Sequence, residues 1–223
     1  MCHMSVIEFF INNIRVEEFK EKRILEVGSK YVNGSVRPLI ERFTYPKEYI
    51  GVDISMGKYV DIVLPAEKLV EYFGEETFDV VISTELLEHV EDWKLVITNI
   101  KRVLKRGGYL YITTRSYGFP YHGYPHDYWR YEIEDMYKLF SDFEILILEK
   151  DPSVPGVFLK ARKPLNYEPT DLQGIALYSM ILGKRTTSVP KIQDMSLSRR
   201  FKLLINETIR TIKDKIWNII KIY

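Results

Sequence analysis

The sequence contains a single cysteine, Cys2, among its 223 residues. One cysteine excludes an internal disulfide framework and a zinc centre built from several cysteines. No segment approaches the roughly 20 consecutive apolar residues that a membrane span needs. The charged N-terminal segment also lacks the pattern of a secretory signal peptide. Together these absences predict a cytoplasmic protein.

Net charge is also small, at +1, but it is unevenly distributed. Residues 196–223 carry seven basic and two acidic side chains, which leaves a net charge of −4 on the rest of the chain. A mildly acidic body with a basic tail argues against a dedicated nucleic-acid-binding protein. Isoleucines at helical spacing predict that this tail is an amphipathic helix, which docks on the chain's own body, on a second subunit or on a membrane surface.

Strand-like and helix-like segments alternate from about residue 5 to residue 150. This alternation predicts an α/β fold with a mostly parallel sheet covered by helices on both faces. A Pro/Gly turn separates EILILEKD from GVFLKARKP and predicts a hairpin that adds an antiparallel strand. Residues 165–195 are expected to form a connection with one short apolar helix.

The stretch RILEVGSKYVNGS, residues 23–35, is predicted to be a strand followed by a ligand-binding loop. Lys30 stands where a dinucleotide motif would place its second glycine, which disfavours a pyrophosphate. Glu26 ends this strand, and Asp53, 25 residues after Gly28, ends the next one at a position suited to ribose hydroxyls. Either acid alone is equally compatible with a loop or turn cap. Together they favour an adenosine with a cationic tail and no phosphates, which is S-adenosylmethionine (SAM).

Five segments, in chain order, resemble the motifs of class I SAM-dependent methyltransferases: ILEVGSKYVNGS, YIGVDIS, VDIVLPAEKL, FDVVISTELLEHVEDW and IKRVLKRGGYLYITTRS. The similarity covers about residues 22–160 and is closest to the small type-11 group. It implies a Rossmann-like, doubly wound, seven-stranded sheet whose last strand is antiparallel. The implied organisation is a methyltransferase domain at residues 1–164 and a helical C-terminal extension at residues 165–223.

The resemblance also implies a cofactor site made from several strand ends. Lys30 departs from the family pattern, and so does Pro65, which stands where an acid often contacts the adenine amine. Glu88 and His89 resemble a pair that the family places near the sulfonium, although a structural role for His89 is equally compatible. The implied cofactor-binding residues are Glu26, Gly28 and Ser29 on the methionine side, Asp53 and Ile54 on the ribose and adenine, Pro65 and Ala66 at the adenine edge, and Ser83, Thr84 and Glu85 closing the pocket.

Residues 115–132, RSYGFPYHGYPHDYWRYE, form a long loop rich in aromatic residues after the fifth strand. Long loops at the ligand face of a sheet commonly cover or grip a substrate. Two histidines four residues apart would suit a metal on a helix, but Gly123 and Pro125 argue against a helix and no third ligand is evident, so no metal is predicted. The predicted catalytic residues are His126, His122 and Asp127, with a structural role as the alternative for the histidines. The predicted substrate-binding residues are Tyr117, His122, His126, Tyr128, Trp129 and Arg130.

The function predicted from these features is methyl transfer from SAM to an oxygen or nitrogen of a small-molecule or glycan acceptor. Such a transfer is an in-line displacement that depends mainly on alignment, and a general base matters only when the acceptor must lose a proton. A catalytically silent SAM-binding partner subunit is the alternative. An NAD-dependent enzyme is disfavoured because the sequence lacks the G-x-G-x-x-G motif.

Overall fold

The computed structural model describes residues 3–123, 126–201, 205 and 208. The first half contains α1 (Met4–Asn13), α2 (Val16–Phe19), β1 (Arg23–Val27), α3 (Arg37–Thr44), β2 (Glu48–Asp53), β3 (Ile62–Val63), α4 (Leu69–Phe73), β4 (Phe78–Thr84) and α5 (Trp93–Val103). The second half contains β5 (Leu104–Arg115), β6 (Trp129–Arg130), α6 (Ile133–Leu139), β7 (Glu144–Lys150), β8 (Gly156–Arg162), β9 (Leu177–Ser179) and β10 (Lys184–Thr186). Short 3-10 turns lie at Ala66–Lys68, Leu87–His89 and Ile192–Asp194.

Seven strands form one sheet in the order β3-β2-β1-β4-β5-β8-β7. The pairs of the first five strands in this order are parallel, whereas β8 runs antiparallel to both β5 and β7. The predicted fold class, including the antiparallel last strand, is therefore confirmed. The strand order reverses between β1 and β4, and ligands of open α/β sheets bind beyond the carboxyl ends of the strands at such a point.

The hydrophobic core lies on both faces of this sheet, because alternate residues of a strand point to opposite sides. Leu25 and Val27 of β1 pack on the face covered by α5 and α6. Ile24, which directly precedes Leu25, packs on the other face with residues of α1, α2 and α3. Asp92 caps the start of α5 by accepting a hydrogen bond from the Leu95 amide at 3.1 Å.

A second sheet of three short strands, in the order β10-β9-β6, joins the chain after residue 165 to the long loop. The prediction of one short apolar helix in residues 165–195 is therefore wrong. Ser179 favours a turn over a helix, because its Oγ accepts hydrogen bonds from the amides of Ile181 and Leu182, and Gly183 adopts a φ of +72°. The division of the chain at residue 164 stays a prediction, although Leu177 and Ile181 pack into the main core.

Residues 197–201 are helical, which is the beginning of the predicted basic C-terminal helix. Most of that helix, and with it the surface on which it would dock, lies outside the described residues. Within the described ranges, no helix has both the length and the apolar character required to cross a membrane.

Candidate active site

A cavity of about 350 Å³ lies at the carboxyl ends of β1, β2 and β4. Its volume is within the range of small-molecule sites. The predicted cofactor residues in its wall are Gly28, Asp53, Ile54, Ala66, Thr84 and Glu85, and the predicted acceptor-side residues are His122, His126 and Tyr128. The structure thus brings together the end of the sheet and the aromatic loop around one space.

Gly28 turns the chain out of β1 with a φ of +81°. The amides of Gly28 and Ser29 donate hydrogen bonds to the Val52 carbonyl at 2.8 and 3.0 Å, which fixes the turn against β2. A Cβ at position 28 would lie 3.1 Å from side-chain atoms of Leu86, across the cavity floor. A glycine is required here both by the backbone conformation and by the space.

Asp53 is the last residue of β2 and holds the loop that follows β1. Its carboxylate accepts hydrogen bonds from the Lys30 amide at 3.3 Å and from the Ser55 amide at 3.1 Å. The Lys30 ammonium donates to Ser55 Oγ at 3.0 Å, so its side chain lies beside this acid. The carboxylate is only partly buried and lines the cavity, which leaves it accessible to hydroxyl donors.

The cavity wall next to Asp53 is apolar, with one acid at its edge. Ile54 is 58% exposed although it is hydrophobic, and both Ile54 and Ala66 line the cavity. Asn99 donates hydrogen bonds to the carbonyls of Ala66 and Glu67, which fixes the 3-10 turn there. Glu67 also lines the cavity. An apolar wall with a carboxylate at its edge suits a flat, apolar ring that carries a hydrogen-bond donor at its edge.

Glu85 follows β4 in a left-handed conformation, with a φ of 54° that is uncommon for a non-glycine residue. Its amide donates to the Thr113 carbonyl at 2.9 Å, and its carboxylate contacts the buried guanidinium of Arg115. Burial and the nearby Glu88 carboxylate raise the pKa of Glu85 to about 7, against the opposing charge of Arg115. A strained, buried acid at a ligand cavity is typical of a functional position.

Four of the predicted cofactor residues lie outside the cavity wall, which corrects their placement. Glu26 points to the opposite face of the sheet, where it accepts a hydrogen bond from the Tyr49 hydroxyl at 2.8 Å, and burial raises its pKa to about 7. Ser29 lies over Gly51, and Ser83 is buried within β4 beside Val27. Pro65 precedes the 3-10 turn and is not among the residues that line the cavity.

On the acceptor side, His122 is held by a buried chain of charges. Its Nδ1 lies 3.0 Å from Asp127 Oδ2, and Asp127 in turn accepts hydrogen bonds from the Arg130 guanidinium at 2.5 and 2.7 Å. Burial alone would lower the pKa of His122, but the hydrogen-bonded Asp127 carboxylate and the nearby charge of Glu88 raise it to about 9. His122 is therefore protonated at neutral pH, and Asp127 fixes the orientation of its ring.

Three of the predicted substrate-binding residues do not reach the cavity. Trp129 is fully buried and donates from Nε1 to the carbonyls of Val90 and Glu91 at 3.0 and 3.1 Å. Arg130 is fully buried on Asp127 and on loop carbonyls. Tyr117 is exposed and packs edge-on against Tyr178 with ring centroids 4.8 Å apart. The three residues lie outside the cavity wall, and their contacts shape the loop.

Several cavity residues were not among the predicted site residues. His89 was noted only for its resemblance to a family pair, and the structure places it in the wall. Val27 and Val52 have the appearance of ordinary buried strand residues, and the direction of a loop residue such as Val32 is known only once the path of the loop is known. The additional wall residues are Val27, Lys30, Val32, Val52, Leu64, Glu67, Leu86, His89, Val90, Glu91 and Gly123.

Residues 25–112 match the model of a methyltransferase domain family, Methyltransf_11. No curated protein matches the chain. The family match spans the segment from β1 to the middle of β5, and this segment contributes the Gly28, Asp53 and Glu85 parts of the cavity.

Solved structures with the same fold are distant in sequence. The 1,6-didemethyltoxoflavin-N1-methyltransferase of Burkholderia thailandensis, solved with S-adenosylhomocysteine, is 15% identical over 65% of this chain and 72% of that chain, with a TM-score of 0.53. The geranyl diphosphate C-methyltransferase of Streptomyces coelicolor A3(2) is 12% identical over 72% and 77% of the two chains, with a TM-score of 0.54.

A chain from the complex of the Haloferax volcanii Trm112 methyltransferase activator with a methyltransferase is 12% identical. The match covers 74% of this chain and 91% of that chain, with a TM-score of 0.59. At these identities the structural similarity shows the fold. The fold and the family model together place residues 25–112 in a type-11 methyltransferase domain, a domain of the class I SAM-dependent methyltransferases.

Proposed function

We propose that this chain is an active SAM-dependent methyltransferase that methylates an oxygen or nitrogen of a small-molecule or glycan acceptor. The observation that carries this proposal is the continuity of the cavity. One space reaches from the ends of β1, β2 and β4 to the two histidines of the long loop. A donor cofactor and an acceptor can therefore meet in it.

The residues present fit SAM in three respects. Gly28 has no side chain, so a ligand can approach the backbone of this turn closely. A Cβ at this position would meet Leu86. Asp53 offers a carboxylate at the position suited to ribose hydroxyls, and Ile54 offers exposed apolar surface to an adenine ring. Glu67, two residues after Pro65, supplies the acid that the sequence pattern lacked at the adenine edge. When bound, SAM supplies an electrophilic methyl group on a sulfonium.

The loop residues would orient the acceptor and take up its proton. His126 lines the cavity with its ring 5.8 Å from that of Tyr128, and we assign it the role of general base when the acceptor is a hydroxyl. His122, held in place by Asp127, would position a polar group of the acceptor. The aromatic and polar character of this wall supports a sugar-like or otherwise polar acceptor.

A catalytically silent partner subunit remains the second candidate. Its support is the fold similarity to a chain from a complex with a methyltransferase activator, together with the basic helix predicted for residues 196–223. Such a subunit would bind SAM but would turn over no acceptor.

Calorimetric titration of the full chain with SAM, S-adenosylhomocysteine and NAD tests the cofactor. We expect micromolar binding of the first two and none of NAD. Asp53→Asn keeps the size of the side chain and removes its charge, and we expect about 10- to 100-fold weaker SAM binding, because a charged hydrogen bond contributes about 1.5–3 kcal/mol. Asp171→Ala, an exposed acid outside the cavity, is the matched control and should bind SAM like the wild type.

Turnover distinguishes the two candidates. Release of S-adenosylhomocysteine in a panel of glycans and polar metabolites supports the enzyme, and His126→Gln should then lower kcat by about 10²-fold or more for a hydroxyl acceptor. SAM binding without turnover in the whole panel would favour the silent subunit. Binding of NAD in preference to SAM would contradict the proposal.

A further inference from the structure

Three side chains of types that bind metal ions lie close together on the loop side of the cavity. Glu88 and His89 belong to the 3-10 turn after β4, and His122 comes from the long loop. One ligand atom of each lies within 4.8 Å of the others. Nε2 of His122 is 3.7 Å from Oε1 of Glu88, and the two imidazole rings are 4.7 Å apart between centroids. The sequence pattern paired His122 with His126, whereas the fold pairs it with residues more than 30 positions earlier.

The outer atoms of all three side chains are already engaged. Nδ1 of His89 lies 2.7 Å from the His126 carbonyl, and Nδ1 of His122 lies 3.0 Å from the Asp127 carboxylate. A carbonyl oxygen only accepts, so Nδ1 of His89 must carry the hydrogen and its neutral ring keeps a lone pair on Nε2. Oε2 of Glu88 accepts a hydrogen bond from the Thr114 hydroxyl at 2.9 Å. Outer-shell bonds of this kind fix the tautomer and orientation of metal-binding histidines.

The inner carboxylate oxygen of Glu88 has no such partner. The residue is fully buried, and among the described residues Oε1 accepts no hydrogen bond. Nε2 of His122 faces this oxygen at 3.7 Å, which is an ion pair when the ring is protonated but is too long for a hydrogen bond. A metal ion that displaces the His122 proton would contact this oxygen directly and satisfy it. The imidazole rings line the cavity, so a cation held there would keep coordination positions open towards the ligand space.

We propose that Glu88, His89 and His122 bind a divalent transition metal ion, for which Zn²⁺ is the probe. Two imidazoles and one carboxylate with open positions form the donor set of catalytic rather than structural zinc sites. Ligand atoms of a tetrahedral zinc are about 3.4 Å apart, so the Glu88–His122 pair at 3.7 Å needs little movement and the widest pair must close further. The open positions suit an oxygen of the acceptor. The site uses none of the residues assigned to SAM, so it stands or falls independently of cofactor binding.

The test titrates ZnCl₂ into the untagged, metal-stripped full chain by calorimetry, in the absence of SAM. We expect one equivalent to bind with a Kd of about 10 μM or tighter. Glu88→Gln and His89→Gln should each weaken binding by about tenfold or more, because each removes a direct ligand. Co²⁺ should give visible absorption bands in the wild type that Glu88→Gln and His89→Gln lose.

His126→Gln is the matched control. It changes a histidine in the same cavity but keeps the backbone carbonyl that accepts from His89, so Zn²⁺ affinity should stay within about threefold of the wild type. Thermal melts of every variant check that it is folded. No stoichiometric Zn²⁺ binding at about 100 μM, or equal affinity in wild type and Glu88→Gln, would overturn the proposal. If Glu88→Gln fails to fold, the His89→Gln titration decides, since this side chain is only partly buried.

Discussion

The two ends of the cavity are built in different ways. At the end of the sheet the wall consists mostly of backbone turns and small or apolar residues, such as Gly28, Ile54 and Ala66. At the loop end, a fully buried chain of charged groups runs from Arg130 through Asp127 to His122. The first end offers a ligand mainly backbone and apolar surface, whereas the second offers a fixed set of polar groups.

Removing Arg130 should have the largest effect on this contrast. Arg130→Met removes one of two cationic partners of the buried Asp127 carboxylate and the donor to the Phe119 and Pro120 carbonyls, and we expect a loss of about 3–5 kcal/mol in the free energy of unfolding. Arg106→Met breaks an exposed pair with Glu76 and should barely change the urea midpoint. Comparable midpoints for the two variants would show that the loop end is not held by its buried charges.

The second prediction concerns Glu26, an acid buried behind the cofactor end. Its pKa is about 7 in the folded chain and near 4.5 when unfolded, so the folded state holds the proton more tightly. The contribution of this acid to stability is present below pH 4.5 and is lost as pH rises through 7, which amounts to up to about 3 kcal/mol. Relative to Glu26→Gln, the wild type should lose stability between pH 5 and pH 8 in urea unfolding. Parallel pH profiles would contradict the buried, protonated acid.

The smallest effect is expected at the turn after β1. Gly28→Ala places a Cβ in a left-handed conformation and against Leu86, and we expect it to cost about 1–2 kcal/mol in stability and to weaken SAM binding. Gly174→Ala is the matched control, because no atom lies within 4 Å of the Cβ it would introduce. If both substitutions have the same effect in thermal melts and calorimetry, the turn does not require glycine.

The sheet and its turns were predictable because strand alternation and glycine turns leave signals in the sequence. Gly28 and Asp53 follow from those signals, and both line the cavity. Glu26 was misplaced because a one-residue difference in a strand reverses the face to which a side chain points. Trp129 and Arg130 were predicted to bind substrate because the sequence alone does not distinguish a buried aromatic or basic residue from one that contacts a ligand. Their role depends on partners such as Val90 and Asp127, which only the folded loop brings together.

The short strand Trp129–Arg130 is paired with Leu177–Ser179, and the Met180 amide donates to the Tyr128 carbonyl at 2.7 Å. The long loop is thus paired with a segment about 50 positions later in the chain, and this segment lies beyond the 25–112 match to the family model. A truncation at the predicted domain boundary, residue 164, would remove the strand that pairs with Trp129–Arg130. An exchange of the long loop would therefore have to include the 177–186 hairpin that pairs with it.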